Sequence, residues 1–275
     1  MNVVASPAPD LAAIKRRQQG VWSVGDYPVV GTTLQIVGEQ LAESLDLRPG
    51  ERVLDIAAGN GNATLAAARR FCDVVSTDYV GAWLRNGMER AEAERLPVAF
   101  READAEDLPF ADASFDVVTS TFGVMFTANQ EAAAAEMIRV CRPGGRIGMA
   151  NWTPDGFIGR LFKTIGRHAP PPAGLRPAVD WGTTARIEAL FDVDASQIAV
   201  TERDFVFRYR SARHWVELWR AVYGPMQKAF ETAGQTGNVE ALEADLIALA
   251  EAESRAGAGA MIVPGRYLEI IVRRR

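Results

Sequence analysis

Residues 53–64 read VLDIAAGNGNAT, and the reading of this stretch decides the fold. Val53 to Ile56 form a short apolar run, interrupted by Asp55, of the kind that makes a buried strand. The chain then loses almost all of its side chains. Gly59 and Gly61 stand where it must turn sharply and where a ligand can approach the backbone itself. A helix beginning after such a turn offers unpaired amides, which favour a carboxylate or a phosphate. Glycine turns occur in all folds, so this one gains meaning only from its surroundings.

Outward from the motif, short apolar runs alternate with helical periodicity. The pattern predicts strands over Arg52–Ile56, Val74–Thr77, Val98–Glu102, Phe115–Ser120 and Arg146–Asn151, with helices over Ala63–Arg70, Gly81–Arg95 and Asn129–Val140 between them. This rhythm marks βαβ units and a parallel sheet covered by helices. Upstream, residues 1–10 read as a frayed tail, 11–19 as a short helix stopping at Gly20, and 32–45 as a second helix ending before Arg48-Pro49-Gly50. Downstream of Trp152, a helix over 156–168, a proline-rich loop over 169–178 and a short helix over 183–192 read as an insertion laid over a sheet. Phe205, Phe207 and Tyr209 alternate as in a long strand. Helices over 212–233 and 238–256 and a last strand over Tyr267–Val272 follow.

A chain of 275 residues buries most of its unfolded surface and is long enough to build an enzyme. Its 30 Lys+Arg and 35 Asp+Glu give a net charge of -5, with both signs scattered, so neither nucleic acid nor an anionic membrane is an expected partner. Cys72 and Cys141 stand without a CxxC pair or a nearby histidine, which argues against a metal site and gives no basis for a disulfide. A reduced, cytoplasmic setting is the default. The N-terminus lacks the apolar core of a secretory signal, and no segment reaches the roughly 18 apolar residues of a membrane span.

Two further acids complete the picture around the glycine turn. Asp78 closes the second predicted strand, where a carboxylate can accept both hydroxyls of a ribose; a helix N-cap is the plainer role for it. Asp104, in READAEDLPF just after the third strand, is placed to accept from an exocyclic amine such as that of adenine, or to be a solvated loop acid. Three acids at the carboxyl ends of three successive strands lie along the edge where open parallel sheets bind ligands.

VLDIAAGNGNAT, the acid in VVSTDY, READAEDLPFADASFDVVTSTFGVMF and RVCRPGGRIGMANW, in this order between about Gly20 and Trp152, resemble the class I S-adenosylmethionine-dependent methyltransferases, closest to the quinone-biosynthesis type (methyltransferase type 11) acting on small molecules. The resemblance implies a Rossmann-like α/β fold: a seven-stranded, mostly parallel sheet with the last strand antiparallel and helices on both faces. In that reading a single domain carries an N-terminal helical lid (1–45), a cofactor-binding core (46–153), a cover insertion (154–195) and C-terminal strands and helices that complete the sheet (196–275). It implies S-adenosylmethionine as cofactor, with Asp55, Ala57, Gly59 and Gly61 along its methionine part, Asp55 placed to meet the ammonium group directly or through water. It further implies Asp78 on the ribose, Tyr79 against the adenine, Asp104 and the Ala105 amide at the adenine edge, and Thr121 and Phe122 leading into the active site. The sequence departs from the glycine-rich pattern at Ala57, tolerated if the backbone there needs no positive φ, and at Asn62, which caps the next helix or bonds the ligand. Arg142-Pro143-Gly144-Gly145 is a structural turn.

The acceptor side is less defined. Methyl transfer from a sulfonium is an in-line displacement that positioning in a dry pocket accelerates by up to roughly 7–11 kcal/mol, so no catalytic side chain is obligatory. If a base assists, the candidates are His168, His214 and Tyr27. Trp215, Trp219 and Tyr223 share one helix face, as core or as a pocket wall. Trp22 and Gly25-Asp26-Tyr27 read as a lid or an anchored loop, and Tyr27 and Phe122 suit a sulfonium through cation–π attraction. Trp22, Phe122, Met125, Trp152, Phe157 and Trp181 are the expected pocket residues. The expected partner is a small-molecule methyl acceptor with an O, N or C nucleophile, with the protein monomeric or homodimeric. A nicotinamide-dependent oxidoreductase uses a similar turn, but its G-x-G-x-x-G spacing does not fit here. A non-catalytic cofactor-binding protein is the third reading.

Overall fold

The computed structural model describes residues 10–257 and 259–275, so all of the expected N-terminal tail but Asp10 lies outside the described residues. The N-terminal segment folds as α1 (Leu11–Trp22), the short α2 (Tyr27–Gly31), a 3-10 turn (Thr32–Leu34) and α3 (Gln35–Ser44). The Asp10 carboxylate caps α1 by accepting from the Ala13 amide. Gly20 does not end this helix. It is exposed, and its weak propensity costs only about 1 kcal/mol, so the helix runs on until Trp22 reaches its aromatic neighbours.

Next come β1 (Arg52–Ile56), α4 (Asn62–Ala68), β2 (Asp73–Asp78), α5 (Gly81–Ala93), β3 (Val98–Glu102), β4 (Phe115–Thr121), α6 (Gln130–Val140) and β5 (Cys141–Trp152). The remainder is α7 (Phe157–His168), a 3-10 turn (Ala178–Gly182), α8 (Thr184–Phe191), β6 (Ala195–Tyr209), α9 (Ala212–Val222), α10 (Gly224–Gln235), α11 (Val239–Glu253) and β7 (Met261–Arg274). The seven strands form one sheet in the order β3-β2-β1-β4-β5-β7-β6. β1 to β5 pair in parallel, and β7 runs antiparallel between β5 and β6. Rossmann-like order and the antiparallel last strand are thus both present.

The central strands are buried on both faces, as parallel strands under helices must be. Val53, Leu54, Ile56, Val117, Val118, Ile147 and Met149 are all shut off from solvent. β1 and β4, in the middle of the sheet, end side by side, and that shared edge carries the ligand cleft described below.

Three boundaries differ from expectation. β5 and β7 start earlier than their apolar cores, at Cys141 and Met261, because Cys141 pairs with Phe115 of β4 and β7 finds a partner in β6 along its length. The RPGG turn falls inside β5 as a register shift between Phe115 and Val117 of its partner. The long helix expected over 212–233 is two helices. Pro225 has no amide and is confined to the first turn of α10, so the chain extends at Tyr223, with φ -100° and ψ 108°. That break leaves the Val222 carbonyl free to accept from the Asp26 amide at 2.8 Å, and Tyr223 bridges to Gly25. A helical interruption therefore docks the N-terminal segment.

Gly224 makes this docking close: a Cβ there would lie 2.1 Å from the Val21 carbonyl oxygen. Gly224→Ala is expected to destabilise the protein on the order of 1–3 kcal/mol by overpacking against backbone. Denaturant unfolding measures this, and an unchanged midpoint would show that the break can relax.

Candidate cofactor and acceptor site

A cleft with about 1150 Å³ of empty space, part of it open to solvent, lies at the carboxyl ends of the central strands beneath α1 and α2. Its geometry begins with the loop after β1, where Ala57, Gly59 and Gly61 adopt left-handed φ values of 49°, 56° and 84°. The expectation that Ala57 needs no positive φ is corrected. Its conformation costs roughly 1–2 kcal/mol, a strain of the kind that collects at ligand sites. Gly59 is required for space as well, since a Cβ there would lie 3.1 Å from Cε1 of Tyr27. The Tyr27 ring packs directly on the bare loop.

Asp55 stands behind this loop rather than in the cleft. Its Oδ2 accepts from the Thr64 amide at 2.8 Å and the Thr64 hydroxyl at 2.6 Å, and its Oδ1 accepts from the Thr119 hydroxyl at 3.1 Å. The side chain is buried, and burial pushes its carboxyl up to about 6. The Asp55 carboxylate ties the first turn of α4 to β1 and β4 and lies outside the cleft lining. Gly61, the N-cap of α4, also lies outside the cleft lining.

Asn62 neither caps α4 nor points only at a ligand. Its Nδ2 donates to the Gly31 carbonyl at 2.7 Å and its Oδ1 accepts from Arg90 at 2.9 Å, while Arg90 also donates to the Asn60 carbonyl at 2.7 Å. Asn60 in turn donates to the Thr32 hydroxyl at 3.0 Å. The loop is therefore tied to α5 on one side and to the N-terminal segment on the other.

Asp78 ends β2 and lines the cleft. Its Oδ2 accepts from the Gly59 amide at 2.9 Å and its Oδ1 from the Val80 amide at 2.8 Å. Each oxygen keeps a lone pair for a ligand. Burial pushes this carboxyl up to about 6 despite those amides. Tyr79 beside it lines the cleft, and its carbonyl accepts from Gln19 Nε2 at 2.7 Å. After β3, Asp104, Ala105 and Glu106 line the same end. Lys15 of α1 bonds Asp104 Oδ2 at 2.6 Å and Glu106 Oε2 at 2.7 Å. Burial works against the Lys15 ammonium, but its two carboxylate partners hold it above its usual range.

At the end of β4, Thr121 and Phe122 line the cleft, and Phe122 takes a left-handed φ of 57° while its amide donates to the Ala150 carbonyl at 2.8 Å. Gly123 passes so near the first loop that a Cβ would sit 2.1 Å from the Ala57 carbonyl oxygen. From Phe122 an arc of touching aromatic rings runs along the cleft wall. Phe122 stacks on Trp152 (3.8 Å between centroids, 4° between planes), Trp152 meets Phe207 (5.7 Å), Phe207 meets Trp219 (5.7 Å), and Trp219 meets Tyr223 (4.8 Å). Tyr223 then meets Trp22 (5.7 Å), and Trp22 meets Phe126 (4.8 Å). All seven line the cleft.

Of the expected pocket residues, Trp22, Phe122 and Trp152 are on the cleft wall, whereas Met125, Phe157 and Trp181 are fully buried and lie outside the lining. Phe157 packs on Trp215 and Phe207, and Trp181 on Phe191. The aromatic face of α9 divides: Trp219 faces the cleft with Tyr223 just beyond the helix, and Trp215 belongs to the core. Neither histidine lines the cleft. His168 Nε2 bonds Asp245 at 2.9 Å, and the His214 amide donates to Ser211 in the first turn of α9. Tyr27 does line it, but burial and the nearby Asp78 carboxylate push its phenol up to about 12. Among the described residues no group of His, Cys, Asp and Glu could hold a metal ion, and no helix is long and apolar enough to cross a membrane.

Residues 54–149 match a family model described as a methyltransferase domain. The chain is 36% identical over 252 residues to an uncharacterized protein of Mycobacterium tuberculosis, covering 90% of this chain and 92% of that one. The chain belongs to the class I S-adenosylmethionine-dependent methyltransferases. It is also 44% identical over 129 residues to a demethylmenaquinone methyltransferase of Beutenbergia cavernae, a match spanning 45% of this chain and 52% of that protein. In fold it is similar to the YcgJ protein of Bacillus subtilis, with a TM-score of 0.59 at 18% identity over 89% of this chain and 99% of the other.

The cleft of this methyltransferase fits its cofactor. A tight loop of small residues, an acid with open lone pairs at the end of β2 and a second acid after β3 line one end of it together. A ligand hydroxyl bonded to Asp78 favours the carboxylate form, and with its pKa at about 6, protonation competes with such binding as pH falls. The dissociation constant for S-adenosylmethionine is expected to rise about tenfold from pH 7 to pH 5. The neighbouring Asp55 titrates in the same range. Asp78→Asn separates the two: calorimetry should find its weaker affinity flat across this window, and a flat profile in the native protein would contradict the role of Asp78.

Proposed function

We propose that this methyltransferase transfers a methyl group to a small-molecule acceptor held in the aromatic half of the cleft, with the cofactor held in the acidic half. The observation that carries this reading is the division of one continuous cleft. Its charged lining residues, Lys15, Asp78, Asp104 and Glu106, come from α1 and from the ends of β2 and β3, and its far side is built of aromatic rings.

In this reading Asp78 accepts from the ribose hydroxyls, Asp104 from the adenine amine, with the Ala105 amide beside the base and Tyr79 against it. Ala57 and Gly59 offer backbone to the methionine part, and Asp55 acts only by holding that backbone in shape. Tyr27 and Phe122 stand at the junction of the two halves, where ring faces favour a sulfonium by about 0.5–2 kcal/mol. The bound cofactor supplies an activated methyl group on a positively charged sulfur. The protein's part is positioning and exclusion of water. No histidine reaches the site, and the Tyr27 phenol stays neutral near pH 7, so no side chain on the acceptor wall acts as a general base.

Asp78→Ala is expected to weaken S-adenosylmethionine at least tenfold, because a charge-assisted hydrogen bond contributes about 1.5–3 kcal/mol. Calorimetry with S-adenosylmethionine and with NADH on both proteins tests this. Unchanged affinity in the variant would remove the ribose assignment, and tight NADH binding without S-adenosylmethionine binding would replace the reading by an oxidoreductase. Intact-mass screening of acceptor pools, with no product gaining a methyl group while cofactor binds, would leave a binding protein only.

A further inference from the structure

β6 is the last strand on its side of the sheet, with β7 as its one neighbour. The direction of its backbone groups follows from β7. The Arg266 carbonyl accepts from the Thr153 amide, the Ile262 carbonyl accepts from the Arg255 amide, and Pro264 between them has no amide to offer. Even-numbered residues of β7 therefore turn away from β6, and the residues opposite them in an antiparallel ladder turn away likewise. Asp204 stands opposite Arg266, Val206 opposite Pro264 and Arg208 opposite Ile262. Along β6 the even-numbered residues from Ile198 to Arg208 thus direct their amides and carbonyls to the free edge. Among the described residues a single hydrogen bond reaches these groups: Arg208 Nη1 donates to the Val206 carbonyl at 3.0 Å.

Such an edge is a template for another strand, and natural sheets guard it with charged side chains. Here the charges are complementary to themselves. Residues 202–210 read ERDFVFRYR, acids before Val206 and arginines after it. Pairing two copies antiparallel through the open groups joins even-numbered residues to even-numbered ones, so a twofold axis passes through one residue of the strand. An axis at Glu202, Arg203, Asp204 or Arg208 sets like charges face to face. At Val200 or Thr201 it gives neither acid a basic partner, and at Phe205 or Phe207 it pairs one acid and strands the other. At Val206 both acids are matched: Asp204 faces the partner's Arg208, Glu202 faces the partner's Arg210, and on the other face Phe205 meets the partner's Phe207. Within one chain these acids have loose, exposed partners, Arg255 at 3.9 Å from Asp204 and Arg266 at 3.2 Å from Glu202. Among the described residues no acid pairs with Arg208, whose guanidinium rests on its own strand.

We infer that the free edge of β6 pairs with β6 of a second copy of this chain, antiparallel and centred on Val206, so that one sheet runs through both chains. Arg208 then leaves the Val206 carbonyl to the partner's Val206 amide and takes up the partner's Asp204. The assembly closes at two, because each β6 edge is used up and the opposite edge strand, β3, is only 5 residues long. Phe207 also lines the cleft, so the strand held at the interface is one that shapes the aromatic wall.

Sedimentation of the full chain over about a hundredfold range of concentration tests this. The expected result is the mass of two chains at the upper end, falling to that of one on dilution. Val206→Pro removes an amide that β7 does not use, a change that edge strands tolerate, and should weaken the dimer at least about tenfold. Asp204→Arg and Arg208→Asp should each weaken self-association by a similar factor, since each sets like charges face to face in both halves. Mixed together, those two variants should form a heterodimer, because every arginine at 204 or 208 then faces an aspartate. The affinity of each variant for S-adenosylmethionine, measured by calorimetry, should stay at the native value and shows that it is folded. A native chain that stays single throughout, a dimer that survives all three substitutions, or folded charge variants that remain apart on mixing would each overturn the inference. Should Val206→Pro fail to fold, the mixing experiment decides alone.

Discussion

The site depends on one buried carboxylate. Asp55 has its oxygens occupied by the amide and hydroxyl of Thr64 and the hydroxyl of Thr119, and so joins the end of β1 to the start of α4 and to β4. The loop between those anchors has little choice of path, and three of its residues are forced to positive φ. Ala57 bears real strain there, sustained because both ends of the loop are held. Asp78 then takes the amide of Gly59, so the two acids grip the loop from the core and from the cleft. Both are raised to about 6 by burial, Asp55 further by the neighbouring Asp78. That is the energetic cost of packing two carboxylates beneath a ligand loop.

Over this edge the N-terminal segment is tied at points far apart in sequence. Lys15 bridges Asp104 and Glu106, Gln19 holds the Tyr79 carbonyl, and the Trp22 carbonyl accepts from Trp83 Nε1 at 2.9 Å. Gly31 and Thr32 are held by Asn62 and Asn60 of the glycine loop. The interruption at Tyr223 takes up the other side, pairing Val222 with Asp26. The same break turns the Tyr223 ring into the cleft. Covering the cleft and shaping its aromatic wall are thus one structural event, in which Pro225 ends a helix that the sequence pattern alone would continue.

Much of this was legible in the sequence where local chemistry decides the outcome. The strand-loop-helix of 53–64, the acids at Asp78 and Asp104 and the alternation of strands and helices through Trp152 follow from periodicity and turn residues within short windows. What was not legible depends on distant partners. Nothing in the basic run around Lys15 marks that one lysine as the partner of acids after β3, 89 positions away. The direction of Asp55 is set by Thr64 and Thr119, and the motif reads the same whether that carboxylate faces the cleft or the core. Trp215, Trp219 and Tyr223 share a helical period, but the packing of Trp215 on Phe157 and the break after Val222, not the period, decide which of them is core and which is wall. Met125, Phe157 and Trp181 are large and apolar, as pocket residues are, and the sheet used them as core.

The account stands most directly on where a bound cofactor product would lie. A crystal structure with S-adenosylhomocysteine measures this. The expected result is ribose hydroxyls on Asp78, the adenine amine at Asp104, the amino-acid end along Ala57 to Gly59, and Asp55 still bonded to Thr64 with no contact to the ligand. A nucleoside seated among Trp152, Trp219 and Tyr223, or an Asp55 released from Thr64 to bind the ammonium group, would contradict it.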